Sequence, residues 1–193
     1  SELAGVEVSP QGERIAVIGG GPAGLSYASL VSTGNTVTLF ERGSRLGGAL
    51  RLAARAPLFQ EVEAAEGAFE AYIASLEDIC RANGVDFRLG TNPIAMTGVL
   101  DGYDRIVLAT GARYRFGPMG LALSLARWPG LRQLFSRDDL RDWLYHRART
   151  ATGISLRRRL GKEVTVIGDA ATPGKTRAAV SSAYSAAFST SAS

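Results

Sequence analysis

The stretch RIAVIGGGPAGLSYASL, residues 14–30, constrains the fold more than any other part of the sequence. An unbroken apolar run bounded by glycine is typical of a central strand in a parallel sheet. Pro22 suits the first turn of a helix, and Gly34 with Asn35 ends that helix before a second apolar run, TVTLFE. We therefore predict a strand, a helix over 22–33 and a second, parallel strand as one βαβ unit.

Three glycines in this stretch suggest a ligand. Gly19, Gly21 and Gly24 fit G-x-G-x-x-G, and Glu41 ends the second strand 22 residues after Gly19. In such turns the first glycine permits the bend, the second lets the backbone approach a pyrophosphate, and the third allows close helix packing. The helix N–H groups then face the anion, and the carboxylate accepts hydrogen bonds from an adenosine ribose. The alternative is a purely structural strand-to-helix turn.

The rest of the chain continues the alternation of strands and helices. We predict a helix over 64–82, with apolar residues at Phe69, Tyr72, Ile73, Leu76 and Ile79. Further strands are predicted in VDFRLG, in RIVLATGA (105–112) and in EVTVIGDAATPG, and a last helix in KTRAAVSSAYSAAF. With 46% hydrophobic and 21% charged residues, the composition is that of a globular α/β protein.

Composition also limits the chemistry. Cys80 is the only cysteine, which excludes an internal disulfide, a C-x-x-C pair and a multi-thiolate metal site. No apolar run approaches the roughly 18 residues that span a bilayer, and the start lacks a signal pattern, so we expect a cytoplasmic protein without membrane contact. The net charge of +4 arises mainly from arginines in 137–162. We interpret them as a solvated face and expect no nucleic acid partner, with partner docking or a phosphate contact as the alternative.

Four motifs resemble one flavoprotein family. The glycine-rich turn, ERGSRLGGAL after the second strand, RIVLATGARY on the fourth and VTVIGDAATPG on the last occur in the family's order. They resemble the FAD/ADP-binding module of Old-Yellow-Enzyme-like NADH:flavin oxidoreductases, of the 2,4-dienoyl-CoA reductase and trimethylamine dehydrogenase type. The resemblance covers roughly 14–113 and 162–188. It implies an α/β, Rossmann-like three-layer FAD/NAD(P)-binding fold with a central parallel sheet, of the glutathione-reductase-like FAD type.

The resemblance also implies cofactor-binding roles, with FAD as the cofactor and ADP as the alternative. The residues that would cradle the pyrophosphate are Gly19, Gly21, Pro22, Ala23 and Gly24. The adenosine ribose would be held by Glu41 and Arg42, with the adenine near Thr91, Asn92 and Pro93. The residues along the pyrophosphate and ribityl chain would be Gly48, Ala49 and Leu50. The residues closing over the cofactor after the fourth strand would be Ala109, Thr110 and Gly111. The flavin end would be formed by Gly168, Asp169 and a helix beginning near Thr172, whose N–H groups would stabilise a reduced flavin.

The sequence departs from this family between the fourth and last strands. Only 56 residues separate Gly111 from Gly168, too few for the relatives' NAD(P)H domain of about 100 residues. We predict an arm or linker over 1–13 and a single domain over 14–193, with a helical insertion over 113–161. The aromatic and apolar residues of that insertion are expected either in the core or on a docking face. His146 lies away from every nucleotide motif and is not predicted to be catalytic, nor is any other residue, and Cys80 is expected to be a small buried residue.

These features predict an FAD-binding electron-transfer subunit of a hetero-oligomeric flavin oxidoreductase. The resemblance places the substrate site on a larger catalytic subunit with an FMN-binding barrel, with or without an iron–sulfur cluster. That subunit would oxidise or demethylate an amine, or reduce an activated alkene. The main alternative is a structural subunit that binds ADP without redox chemistry. For an NAD-dependent dehydrogenase, the sequence offers no residue that stands out as a proton donor beside a nicotinamide. An S-adenosylmethionine-dependent methyltransferase would leave the GDAATPG motif unexplained.

Overall fold

The computed structural model describes residues 12–48, 66–114, 149–151, 160, 164–171 and 176–188. Five parallel strands form one sheet in the order β3-β2-β1-β4-β7. They are β1 (Arg14–Ile18), β2 (Thr36–Glu41), β3 (Asp86–Leu89), β4 (Arg105–Leu108) and β7 (Val164–Val166). The predicted α/β fold with a central parallel sheet is confirmed, and it is a Rossmann-like three-layer fold. The predicted arm over 1–13 lies almost wholly outside the described residues.

The register of the sheet brings the carboxyl ends of the strands to one edge. Ile18 at the end of β1 is paired with Phe40 of β2 on one side and with Leu108 of β4 on the other. Alternate residues of β1 enter two separate cores, with Ile15 and Val17 on one face and Ala16 and Ile18 on the other. The continuous apolar run therefore reflects a strand that is covered on both faces.

Three helices contribute to the first core. They are α1 (Pro22–Val31), α2 (Glu66–Ala82) and α3 (Thr176–Phe188). Ala183 and Ala187 of α3 are buried, and α3 packs against α1, because small residues allow a close approach of the two helices. On the opposite face, the second core is covered by the segment around Val99–Tyr103 and by Leu160.

Helix α2 turns a slightly different face to the core than predicted. Ile73 and Cys80 are buried and Tyr72 and Leu76 are partly buried, whereas Ile79 is 45% exposed. The buried positions therefore include 73, 76 and 80, with the cysteine rather than the isoleucine in the last turn. The prediction that Cys80 is a small buried residue is confirmed.

The structure differs from the sequence predictions after β4. This strand ends at Leu108 instead of continuing to residue 112, because the chain turns at Ala109–Gly111. It then forms β5 (Ala112–Tyr114), which pairs antiparallel with β6 (Arg149–Ala151). The predicted helical insertion over 113–161 therefore begins with a strand and contains a second one, and residues 115–148 lie outside the described residues.

The chain after β7 forms a 3-10 turn, Gly168–Ala170, and α3 is described from Thr176 to Phe188. The predicted start of this helix near Thr172 lies outside the described residues. Among the helices that the structure describes, none is long and apolar enough to cross a membrane.

Candidate functional site

The glycine turn between β1 and α1 is closed by two very short backbone approaches. Gly19 has φ of +117°, and a Cβ atom there would lie 2.3 Å from the carbonyl oxygen of Ala109. A Cβ atom at Gly24 would lie 1.9 Å from the carbonyl oxygen of Gly19. A side chain at Gly19 would clash with the chain that leaves β4, and one at Gly24 would push α1 away from the end of β1. The first and third glycines of the motif are therefore required by packing within the protein.

Gly21 differs, because no described residue requires a glycine there. Its φ is −82°, which any residue can adopt, and a Cβ atom would meet no atom within 4 Å in the part of the chain that the structure describes. Pro22 follows as the first helical residue, and no side chain caps the helix start. Ala23 and Gly24 lie in the first turn of α1, where backbone N–H groups have no acceptor within the helix. Open space at the positive end of a helix is suited to an anion that approaches the backbone closely.

The carboxylate of Glu41 joins two loops at the end of β2. Its Oε2 accepts a hydrogen bond from the N–H of Gly20 at 2.8 Å, and its Oε1 accepts one from the N–H of Gly43 at 2.7 Å. A carboxylate offers about four lone-pair positions, so one on each oxygen remains for a further donor. The structure therefore places Glu41 directly beside the glycine turn, with capacity for two more hydrogen bonds.

The loop after β2 packs on the same turn. The N–H of Gly47 donates to the carbonyl oxygen of Gly20 at 2.7 Å, and Leu46 is buried against Gly20. A Cβ atom at Gly48 would lie 3.2 Å from the Cα atom of Gly21. The sequence predictions included Gly48 but missed Gly43, Leu46 and Gly47. The available signal was Leu46, an isolated apolar residue between Arg45 and Gly47, because it predicts a loop that folds back onto the protein.

The ends of β4 and β7 approach the turn from the other side. The N–H of Ala109 donates to the carbonyl oxygen of Ile18, which brings the Ala109–Gly111 segment beside β1. Gly168 has φ of +62°, and a Cβ atom there would lie 2.7 Å from the Cβ atom of Ala23. Its N–H donates to the hydroxyl of Ser182 in α3 at 2.6 Å, a contact that the sequence did not predict. Asp169 follows directly and is half-buried.

The predicted adenine end is adjacent to Glu41. The N–H of Thr91 donates to the Glu41 carbonyl oxygen, which places the chain after β3 against the end of β2. Pro93 is buried, whereas Asn92 and Arg42 are exposed.

The structure thus brings two ends of the predicted site to one turn, with Glu41 contacting Gly20 and Gly168 contacting Ala23. The predicted residues Ala49, Leu50 and Thr172 lie outside the described residues, as does His146. In the part of the chain that the structure describes, no group of three His, Cys, Asp or Glu residues is arranged to hold a metal ion.

Comparison with known proteins agrees with this geometry. Residues 17–64 match the NAD(P)-binding Rossmann-like domain family. The chain is 37% identical over 105 residues to the glutamate synthase [NADPH] small chain of Mycobacterium tuberculosis. The aligned segment covers 52% of this chain and 20% of that protein. It is 35% identical over 101 residues to N,N-dimethylglycine/sarcosine dehydrogenase of Chromohalobacter salexigens, covering 52% and 14% respectively. The chain thus spans at most about one fifth of these two relatives.

Solved structures extend the likeness of the fold. Histamine dehydrogenase from Rhizobium sp. 4-9 superposes with a TM-score of 0.66 over 97% of this chain and 43% of that one, at 15% identity. A 2-naphthoyl-CoA reductase superposes with a TM-score of 0.63 over 95% of this chain and 40% of that one, at 14% identity. Fold, turn and sequence match together define a Rossmann-like nucleotide-binding domain whose relatives are oxidoreductases.

Proposed function

We propose that this chain binds FAD and transfers electrons as one part of a larger flavin oxidoreductase. The observation that carries the proposal is the convergence of Glu41 and Gly168 on a glycine turn that has open space at Gly21. An extended dinucleotide matches this arrangement. Its pyrophosphate would accept hydrogen bonds from the start of α1, and its adenosine ribose would donate to the two unused positions of the Glu41 carboxylate.

The flavin half of the proposal rests on the end of β7. Gly168 lies against α1 and Asp169 follows it, so a ribityl hydroxyl that extends from the pyrophosphate can donate to the Asp169 carboxylate. The redox chemistry would belong to the flavin, and the protein would position the ring and exclude water. The residues that we propose as the site remain those predicted from the sequence, from Gly19 to Thr172.

The named relatives support an oxidoreductase of which this chain forms one part. The matching segment makes up 20% of the glutamate synthase small chain and 14% of the dimethylglycine/sarcosine dehydrogenase. We propose that the substrate site lies on another, larger subunit of Old-Yellow-Enzyme-like type, which binds FMN in a barrel and works on an amine or an activated alkene. The domain over 14–193 would then serve as the FAD-binding component, with the 113–161 insertion in the place of an NAD(P)H domain.

ADP bound without redox chemistry is the second candidate. Glu41 and the glycine turn belong to the half of the proposed site that FAD and ADP share. The hydrogen bonds of Glu41 with Gly20 and Gly43 therefore fit either nucleotide. Release of the bound nucleotide by denaturation, followed by chromatography and absorbance, separates the two. FAD released in a near 1:1 ratio supports the first proposal, and ADP supports the second. A purified protein that contains neither and binds neither on addition would contradict both.

A further inference from the structure

The two backbone polar groups of Gly20 are held by the end of β2 and by the loop that follows it. Its N–H donates to Glu41 Oε2 at 2.8 Å, and its carbonyl oxygen accepts from the N–H of Gly47 at 2.7 Å. The other oxygen of Glu41 accepts from Gly43 in the same loop at 2.7 Å. We call the pair of bonds Gly20–Glu41–Gly43 the carboxylate bridge.

The bond from Gly47, in the loop that the carboxylate bridge ties to the turn, sets the direction of a hydrogen-bond donor in the turn. In a trans peptide the carbonyl oxygen of one residue and the N–H of the next point in opposite directions. Because Gly47 holds the carbonyl oxygen of Gly20 on the loop side, the N–H of Gly21 points away from the loop. At Gly21, a Cβ atom would meet no atom of the described residues within 4 Å.

The sequence of the turn makes such fixation necessary. Gly19, Gly20 and Gly21 are consecutive, and glycine has more backbone freedom than any other residue. The G-x-G-x-x-G motif places no requirement on its second position. Here that position is glycine, and a Cβ atom there would lie 2.6 Å from Leu46 Cδ2 and 3.1 Å from Glu41 Cβ. The loop after β2 therefore packs directly on the turn, in the space that a side chain would need.

We infer that Glu41 is a positioning residue for the pyrophosphate, in addition to its proposed bonds with the ribose. The carboxylate bridge orders the three-glycine turn before any ligand binds. This inference rests on the proposed nucleotide binding for its affinity test, and its ligand-free test does not depend on that proposal. It gives Glu41 an effect on nucleotides that lack ribose hydroxyls.

The affinity test compares ADP with 2′,3′-dideoxy-ADP, by calorimetry on the full chain freed of copurified nucleotide. If Glu41 acts only on the ribose, Glu41→Gln leaves the affinity for dideoxy-ADP unchanged or raises it, because it removes a negative charge near the phosphates. If the carboxylate bridge positions the turn, Glu41→Gln lowers the affinity for dideoxy-ADP by about tenfold. This is the scale of one lost hydrogen bond to a charged acceptor. Wild-type or tighter binding of dideoxy-ADP by Glu41→Gln would overturn the inference.

The ligand-free test measures amide hydrogen exchange by NMR. We expect the N–H groups of Gly20 and Gly43 to exchange about tenfold faster in Glu41→Gln than in the wild type. Glu77→Gln is the matched control, because it removes the same charge from α2, where Glu77 pairs with Arg81. It should change neither exchange at Gly20 and Gly43 nor nucleotide affinity. Unchanged exchange in Glu41→Gln would overturn the inference even if ADP affinity falls.

A second variant covers the case in which Glu41→Gln does not fold. Glu41→Asp keeps the charge but withdraws the carboxylate by one methylene group, so it cannot reach both loops in the observed geometry. This variant should also lower the affinity for dideoxy-ADP and accelerate amide exchange at Gly43. Wild-type affinity together with wild-type exchange would contradict the carboxylate bridge. If the wild type binds neither ADP nor dideoxy-ADP, the proposed function fails, and the exchange rates alone decide on the carboxylate bridge.

Discussion

Gly24 lies so close to Gly19 that a Cβ atom on Gly24 would fall 1.9 Å from the Gly19 carbonyl oxygen. This contact joins the first turn of α1 to the end of β1. It makes the third glycine of the motif a requirement of the folded chain, whether or not a nucleotide is present.

Gly24→Ala should therefore destabilise the protein. The methyl group must push α1 away from β1, and overpacking of this kind costs about 1–3 kcal/mol or more in the free energy of unfolding. The measurement is chemical denaturation. Gly67→Ala is the matched control, because a Cβ atom there meets nothing within 4 Å and alanine favours the helix by up to about 1 kcal/mol. A Gly24→Ala protein as stable as the wild type would contradict the contact.

Gly21→Ala should leave the stability nearly unchanged but weaken nucleotide binding. The added methyl group meets no protein atom, so the free energy of unfolding should change by less than about 1 kcal/mol, the cost of a poorer helix cap. The methyl group would occupy the space of the pyrophosphate, and we expect at least about tenfold weaker nucleotide binding, or ~1.4 kcal/mol. Calorimetry and denaturation on the same sample test both halves. Unchanged affinity would remove Gly21 from the proposed site.

Glu41→Ala should weaken the binding of ADP or FAD by about 1–3 kcal/mol. The substitution leaves the N–H of Gly20 and of Gly43 without their acceptor and removes the proposed partner of the ribose. Titration with ADP provides the measurement. Affinity equal to that of the wild type would show that Glu41 does not belong to the site.

The thiol of Cys80 should be unreactive in the folded protein. Burial, with a smaller effect from the Glu77 carboxylate, raises the pKa of this thiol to about 11. The thiolate is the reactive form, so a disulfide reagent at pH 8 should modify Cys80 only after denaturant is added. Rapid modification of the native protein would contradict its burial.

The same shift has a consequence for stability. A pKa raised above the unfolded value means that the folded state holds the proton more tightly, so the stabilising contribution is complete below pH 9 and is lost between about pH 9 and 11. Wild type and Cys80→Ser should therefore differ in the slope of unfolding free energy against pH in this range. Parallel curves would show that the thiol does not titrate as expected.

The parts of this fold that follow from local sequence were predictable. The apolar run of β1, the glycines and the apolar run of β2 define a βαβ unit without knowledge of the rest of the chain, and its strands lie at the predicted residues. The parallel order of the sheet also follows, because the connections between strands are long enough for crossovers.

The errors occur where tertiary contacts decide the structure. RIVLATGA is typical of one continuous strand, but β4 ends at Leu108, and the carbonyl oxygen of Ala109 then lies so close to Gly19 that no side chain fits there. Ile79 and Cys80 are adjacent and both apolar, and only the angle at which α2 packs decides which is buried. Leu46 indicates from the sequence that the loop after β2 folds back onto the protein, but not that Leu46 and Gly47 meet Gly20, because that depends on the path of the loop.

The pairing of β5 with β6 means that the chain departs at Tyr114 and returns at Arg149 through neighbouring positions. Because these two ends are paired with each other, a change in the length of the segment between them need not displace the strands of the sheet. The segment between them can therefore differ in length and sequence among related proteins without a change in the geometry of the glycine turn.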